Sequence, residues 1–193
     1  MKKLFSVLIL SFFLKCGDVH AEIEKITIRW NPITGREMVV PGIIKSLTAI
    51  PAVSNVQADG ASGSASMSWN PRSPFAYEPF KFAAGAAGIR FREMRLRIKG
   101  TIKTEEAYYY LLSSIDQSRF RIIGPAQTDP NRYIVTNNIE THHLSKLMAN
   151  KLNQAADLQQ EVVIEGPLFL PNSFPRTIIL EQFLVPKEKN NHF

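Results

Sequence analysis

The chain has 193 residues, of which 45% are hydrophobic and 21% are charged, a composition typical of a folded protein with an apolar core. Its formal net charge is +6 at pH 7, and residues 96–186 hold nine basic and nine acidic side chains. This balance argues against the strong basic field with which proteins hold nucleic acid through counterion release. Nucleic acid is therefore not the expected partner.

The first 21 residues predict a secretory signal. Two lysines precede an apolar run from Leu4 to Leu14, and Val19-His20-Ala21 forms a small-residue cleavage site. The run is shorter than the ~20 apolar residues that cross a membrane as a helix. We therefore expect cleavage after Ala21, a periplasmic or secreted protein, and no integral membrane span in the mature chain.

Cys16 raises the alternative of lipid attachment. However, the residue before it is Lys15, whereas lipoprotein signals have a small residue at that position. Cys16 is also the single cysteine of the chain. If cleavage follows Ala21, the mature protein has no cysteine, which excludes disulfides, thiolate metal sites and thiol nucleophiles.

Residues 23–98 predict strand, helix, strand, strand, helix and strand, in that order. EIEKITIRW alternates like a half-buried strand, and VVPGIIKSLTAI has Pro41 near a helix start and helical apolar spacing. AVSNVQAD and SASMSWNP form a hairpin around Asp59-Gly60. A second helix begins around Ala76 and stops at Gly88, before the strand IRFREMRLRIKG.

This order is that of a ferredoxin-like β-α-β-β-α-β fold, and the pattern resembles the heavy-metal-associated domain family. IPAVSNVQAD looks like that family's helix end and second strand, and MSWNP and AAGIRFREM look like its third and last strands. The family places two cysteines between the first strand and the first helix, where this chain reads NPITGREMVV, with Met38 as the one soft ligand. One thioether cannot build a copper(I) site, so the resemblance implies the fold without the metal.

The second half predicts a barrel. LRIKGTIKTEEAYYYLLSSID forms two strands around a turn at Thr104-Glu105-Glu106, RFRIIGP a third, THHLSKLMANKLNQA a helix, and EVVIEGPLFLP and RTIILEQFLVP two more strands. This layout resembles the oligonucleotide/oligosaccharide-binding (OB) barrel, with glycines that permit barrel corners. The expected fold class is α+β: a ferredoxin-like domain over residues 22–95, a small OB-like β-barrel over residues 96–186 and a flexible tail over 187–193.

Catalytic chemistry has little support in the sequence. His142 and His143 belong to no metalloprotease or nucleophile-elbow motif, and the pattern favours a helix start capped by Thr141. The adjacent carboxylates Glu105 and Glu106 lie in a predicted turn, where acidic pairs usually solvate the loop. We predict a non-enzymatic protein without cofactor or metal.

Two candidate surfaces follow from strand alternation. Arg95, Arg97 and Lys99 must emerge on one side of a strand near the junction of the halves, where they would meet an acidic partner or protect a sheet edge. The second surface is a possible ligand face on the barrel, where aromatic rings and guanidinium groups can stack, or where they can merely pack the rim. It consists of Tyr108, Tyr110, Arg119 and Arg121.

The function expected from these patterns is that of an exported binding or adaptor protein, which mediates protein interaction in the cell envelope. Its partner would be an envelope protein with an acidic surface. A periplasmic metal-handling protein that uses Met38 and histidines is the alternative. A binder of oligosaccharide or single-stranded nucleic acid is a further alternative, which rests on the OB-like barrel.

Overall fold

The structure is a computed structural model, and it describes residues 22–32, 39–113, 118–126 and 137–186. The predicted signal segment, Cys16, Met38, His192 and the predicted tail lie outside the described residues. In the part of the chain that is described, no helix combines the length and apolarity needed to span a membrane. The elements are β1 Glu22–Trp30, α1 Val39–Thr48, β2 Val53–Asp59, β3 Ser64–Trp69, α2 Glu78–Ala86, β4 Phe91–Glu105, β5 Tyr108–Leu112, β6 Arg119–Ile123, a 3₁₀ helix Ile139–Thr141, α3 Lys146–Asp157, β7 Glu161–Phe169, β8 Arg176–Ile179 and β9 Gln182–Leu184.

The first four strands form an antiparallel sheet in the order β2-β3-β1-β4. Alternate residues of β1 and β3 are buried, as the period of two in their sequences requires. The helix α1 adds Ile43 and Leu47 to this core, four residues apart on one side, and α2 adds Phe80 and Ala84. Gly88 follows α2 with a positive φ of 71°, which suits glycine at a helix end.

The strands β5 to β8 close a small barrel with β4, and β9 pairs with β7 outside this ring. The pairing runs β4-β5-β6-β8-β7 and returns to β4, and β6 with β8 is a parallel pair whereas the others in this ring are antiparallel. The helix α3 lies between β6 and β7 in the chain and buries Leu152 and Ala155. A mixed α and β protein with a small closed β-barrel is therefore confirmed.

The two halves share the strand β4, whose 15 residues contain the expected boundary between residues 95 and 96. Its residues 91–99 pair with β1, residues 95–101 pair with β7, and residues 101–105 pair with β5. Among the described residues, the strands form one continuous nine-stranded sheet, and its buried side chains form one hydrophobic cluster.

An aromatic cluster fastens the halves together. Phe75, which precedes α2, lies with its ring centroid 5.6 Å from Trp69 and 6.0 Å from Phe120 of β6. Phe80 of α2 stacks on the same ring at 6.1 Å. All four rings are buried, so their packing resists separation of the first sheet from the barrel.

Gly166 closes the barrel wall, as the predicted corner glycine in VVIEGPLFL suggested. A Cβ atom built there would lie 1.7 Å from the carbonyl oxygen of Ile179. The next contact along the chain is a hydrogen bond of 3.1 Å from the amide of Glu181 to the carbonyl oxygen of Glu165. Only glycine lets these two backbones approach so closely.

The prediction that Thr141 caps the third helix is wrong. The helix α3 begins at Lys146, and the Ser145 hydroxyl accepts a hydrogen bond of 3.2 Å from the amide of Met148. Thr141 ends the short 3₁₀ helix, and His142 forms an isolated β-bridge with Ala126. Long-range pairing thus overrides the helical apolar spacing at this point.

Candidate functional site

The structure brings the four residues of the predicted ligand face together on β5 and β6. We call them the Tyr–Arg face: Tyr108, Tyr110, Arg119 and Arg121. Tyr110 pairs directly with Arg121 in the strand register. The central carbon of the Arg119 guanidinium lies 3.6 Å from the centroid of the Tyr110 ring, and that of Arg121 lies 3.8 Å from the centroid of the Tyr108 ring. Each guanidinium therefore forms a close cation–π stack with one tyrosine.

Arg119 also has an acidic partner. Its Nη2 donates a hydrogen bond to a carboxylate oxygen of Glu105, at the end of β4, and the other oxygen of that carboxylate lies 2.8 Å from Nζ of Lys103. Hydrogen bonds from Lys103 and Arg119 hold the pKa of Glu105 below its ordinary value. The guanidinium of Arg119 thus stacks on the ring of Tyr110 and also pairs with the carboxylate of Glu105.

Arg121 differs from Arg119 in its charged surroundings. No carboxylate pairs with Arg121 in the described ranges, although its stack on Tyr108 has nearly the same geometry. The Nε atoms of both arginines are buried and make no hydrogen bond with any described residue. The terminal nitrogens of Arg121 are therefore its remaining donors.

A cleft of about 450 Å³ lies beside this stack. Tyr108 and Arg121 line its barrel side, and Ile139, Glu140 and His143, from the segment before α3, line the other. The volume is within the range that small-molecule pockets occupy in proteins.

His142 holds the wall of the cleft in place. It is buried, its Nδ1 donates to the carbonyl oxygen of Gly124 at 2.9 Å, and its ring meets the edge of Phe169 with centroids 4.8 Å apart. A Cβ atom on Gly124 would lie 1.9 Å from the carbonyl oxygen of His143, so the two backbone segments touch. The sequence placed His142 at a helix start and missed this packing role.

The predicted basic surface is also present, but its charges are engaged within the sheet. Arg95 contacts Glu93 at 2.9 Å and also hydrogen-bonds Glu181. Side-chain hydrogen bonds, above all that to Glu181, raise the pKa of Arg95, although burial opposes them. Arg95 is also the least exposed cation of this surface, with 14% of its side chain accessible.

Arg97 and Lys99 are paired in the same way. Nε of Arg97 donates to Glu24 of β1 at 2.8 Å and its Nη1 donates to Glu165 of β7 at 3.2 Å, which raises the pKa of Arg97 against the effect of burial. Nζ of Lys99 lies 2.6 Å from Glu161. We call this row of pairs across β1, β4 and β7 the ion-pair ladder. An acidic partner at this surface would have to compete with these carboxylates.

Most acidic partners of the ladder were missed in the sequence because they lie far from β4 in the chain, although Glu93 lies on β4 itself. Glu105, the partner of Arg119, was predicted to solvate a turn. The sequence offers one sign of the ion pairs in the ladder. Glu24, Glu161 and Glu165 lie at or next to strand positions whose side chains face the same side of the sheet as the cations. Among the described residues, no three His, Cys, Asp or Glu side chains lie close enough together to hold a metal ion.

No protein-family model, curated protein or solved structure matches this chain.

Proposed function

We propose that this chain is an exported, non-catalytic binding protein of the cell envelope, which recognises another protein through the Tyr–Arg face and the adjoining cleft. Export rests on the charged start, apolar run and cleavage site of residues 1–21. A binding role without catalysis rests on the sequence, which contains no nucleophile elbow or metalloprotease motif.

The observation that carries the proposal is the pair of Tyr–Arg stacks beside a cleft. Tyrosine and arginine, with tryptophan, are enriched among the residues that contribute most to binding at protein interfaces, because they combine a large apolar body with a polar end. Their rings and guanidinium groups are held by stacking here, so less side-chain entropy remains to be lost on binding. Tyr108 keeps 41% of its surface exposed and can contact a partner directly.

The finer fold assignment belongs to the same proposal. A ferredoxin-like first half is supported by the antiparallel order β2-β3-β1-β4 with a helix after β1 and after β3. An OB-type second half is supported by the ring of five strands, its parallel pair and the helix between its third and fourth strands. The resemblance to heavy-metal-associated domains rests on the sequence pattern alone.

The second candidate function is binding of oligosaccharide or single-stranded nucleic acid. The observation in its favour is that the Tyr–Arg face lies on the second and third strands of the barrel, which OB-type barrels use for such ligands. Metal handling through Met38 and histidines, the alternative given by the sequence, has no such observation, because Met38 lies outside the described residues.

Site-specific crosslinking tests the proposal. The tagged full chain carries a photo-crosslinking phenylalanine analogue in place of Tyr108, and a matched variant carries it in place of Phe82, an aromatic residue of α2 that is 73% exposed. In its native cells, we expect position 108 alone to crosslink to one defined envelope protein, and the recovered bait to begin at Glu22. Equal crosslinking from both positions, or none from position 108, would contradict the proposed interface, and a bait that keeps residues 1–21 would contradict export.

A further inference from the structure

The two Tyr–Arg stacks are alike in geometry and unlike in charge. Arg119 on Tyr110 binds the carboxylate of Glu105, whereas Arg121 on Tyr108 pairs with no carboxylate of the described residues. We propose that Arg121 receives a carboxylate from an acidic side chain of the partner protein, and that the cleft holds the peptide segment around that side chain. This inference rests on the proposed function, and it names the chemistry that the site recognises.

The geometry of Arg121 fits this role. Its guanidinium plane is fixed against the Tyr108 ring at 3.8 Å, and its Nε is buried. What remains for a ligand is the terminal pair of nitrogens, and a planar pair of donors matches the two oxygens of a carboxylate. Arg119 already makes such a contact within the chain. It stacks on Tyr110 and donates a hydrogen bond from Nη2 to the carboxylate of Glu105.

The state of the two rings favours a carboxylate over a stacked base or sugar. Single-stranded nucleic acid is held by successive bases that lie on open aromatic faces. Here the Tyr110 ring is buried and covered by Arg119, and Arg121 covers a face of Tyr108. A base that stacked on either of these covered ring faces would have to displace a guanidinium group, while a carboxylate needs only the edge of that group.

The charges around the cleft restrict the peptide further. Glu140 lines the same cleft as Arg121, and its side chain is exposed. A run of consecutive acidic residues would therefore meet repulsion there as well as attraction at Arg121. We expect the segment to carry one acidic residue between neutral ones.

A titration followed by NMR tests the assignment with short blocked peptides. The Nε–H resonances of Arg121 and Arg119 are observed in the full mature chain while acetyl-Ala-Glu-Ala-amide is added, with acetyl-Ala-Gln-Ala-amide as the control. We expect a saturable shift of Arg121 with the glutamate peptide, no comparable shift with the glutamine peptide, and little response of Arg119, whose guanidinium already binds Glu105.

The variant Glu105→Gln sharpens the test. It removes the internal carboxylate, so Arg119 should begin to respond to the glutamate peptide while Arg121 responds as before. Equal responses to the glutamate and glutamine peptides would overturn the proposal. So would an equal shift with inorganic phosphate alone, which would indicate a general anion site, or tighter binding of a short oligothymidylate than of the peptide.

The crosslinking bait separates this inference from the proposed function. Arg121→Gln should lower crosslinking from position 108 by about tenfold, the size expected for the loss of an interface anchor. Arg72→Gln, an exposed arginine in the loop after β3, should leave it unchanged. If position 108 crosslinks to its partner as strongly in the Arg121→Gln protein as in the parent, the result supports the proposed interface and contradicts the carboxylate assignment. If position 108 never crosslinks, the proposed function falls first.

Discussion

The ion-pair ladder and the Tyr–Arg face are two cationic surfaces of one sheet, and they differ in what neutralises their charges. In the ladder, Arg95, Arg97 and Lys99 are each met by carboxylates of other strands or of the segment before β9. On the Tyr–Arg face, Arg119 has one such carboxylate, and Arg121 has an aromatic ring alone among the described residues.

The difference teaches that a row of arginines in a strand is not by itself a docking surface. Charges that are satisfied inside the sheet stabilise the fold at a modest level and leave little for a partner. A guanidinium that is held by stacking keeps its terminal donors available. Substitutions at the barrel wall, in the ladder and at Glu105 test this difference between the two surfaces.

The largest effect on stability is expected from Gly166→Ala. This substitution disturbs the close contact between β7 and β8, next to the segment in which Glu181 pairs with Arg95. A Cβ atom would lie 1.7 Å from the carbonyl oxygen of Ile179, so the backbones must separate. We expect the free energy of unfolding to fall by about 3 kcal/mol, the upper part of the range for overpacked sites. Urea denaturation measures it.

Gly85→Ala is the matched control, because a Cβ atom there meets nothing within 4 Å and the residue lies in α2. It should be neutral or stabilise by up to about 1 kcal/mol. A Gly166→Ala protein as stable as the parent would show that the barrel wall can relax, and that glycine is not required at this position.

A smaller effect is expected from Arg97→Met, which leaves Glu24 and Glu165 facing each other without their cation. Arg97 is about one-third exposed, so the loss lies between that of a surface pair and that of a buried one, at about 1 to 2 kcal/mol. Lys25→Met is the control, since Lys25 is exposed and makes no ion pair with the described residues. If both variants have the same free energy of unfolding, the ion pairs of Arg97 stabilise the protein no more than an exposed, unpaired lysine does.

The smallest effect is the pH dependence of Glu105. Its pKa is lowered in the folded protein by Lys103 and Arg119, so its contribution is complete above the ordinary carboxyl value of 4.5 and is lost as the pH falls through the lower folded value. The difference in urea midpoint between the parent and Glu105→Gln should therefore shrink as the pH falls below the ordinary carboxyl value of 4.5.

Glu106→Gln is the neighbouring control for that titration. Glu106 lies in the turn after β4 with a φ of 55°, and its carboxylate makes no ion pair in the described part of the chain. Its replacement should leave the midpoint unchanged at each pH. A Glu105→Gln protein whose deficit persists at the acid end would mean that packing, and not charge, explains the loss.

Much of the local structure could be read from the sequence because it depends on neighbours in the chain. The alternation of Ile26, Ile28 and Trp30 predicted β1, and Gly88 marked the end of α2. The four residues of the Tyr–Arg face could be placed on one side of two strands by the same period of two. The start of α3 could not, since the bridge between His142 and Ala126 draws that segment to the barrel.

The sequence by itself determined most of the elements, the strand faces and the candidate residues, since these follow from periodicity, turn residues and glycine conformation within short windows. It did not determine the break in RTIILEQFLVP, which was predicted as one strand and forms β8 and β9. Only the tertiary structure decided which cations pair with carboxylates of the described residues. The carboxylates that meet Arg97 come from residues 73 and 68 positions away, and Arg119 and Arg121, two residues apart, differ because Glu105 reaches only one of them. Ionic contacts of this kind depend on strand register and barrel closure, which no local pattern contains.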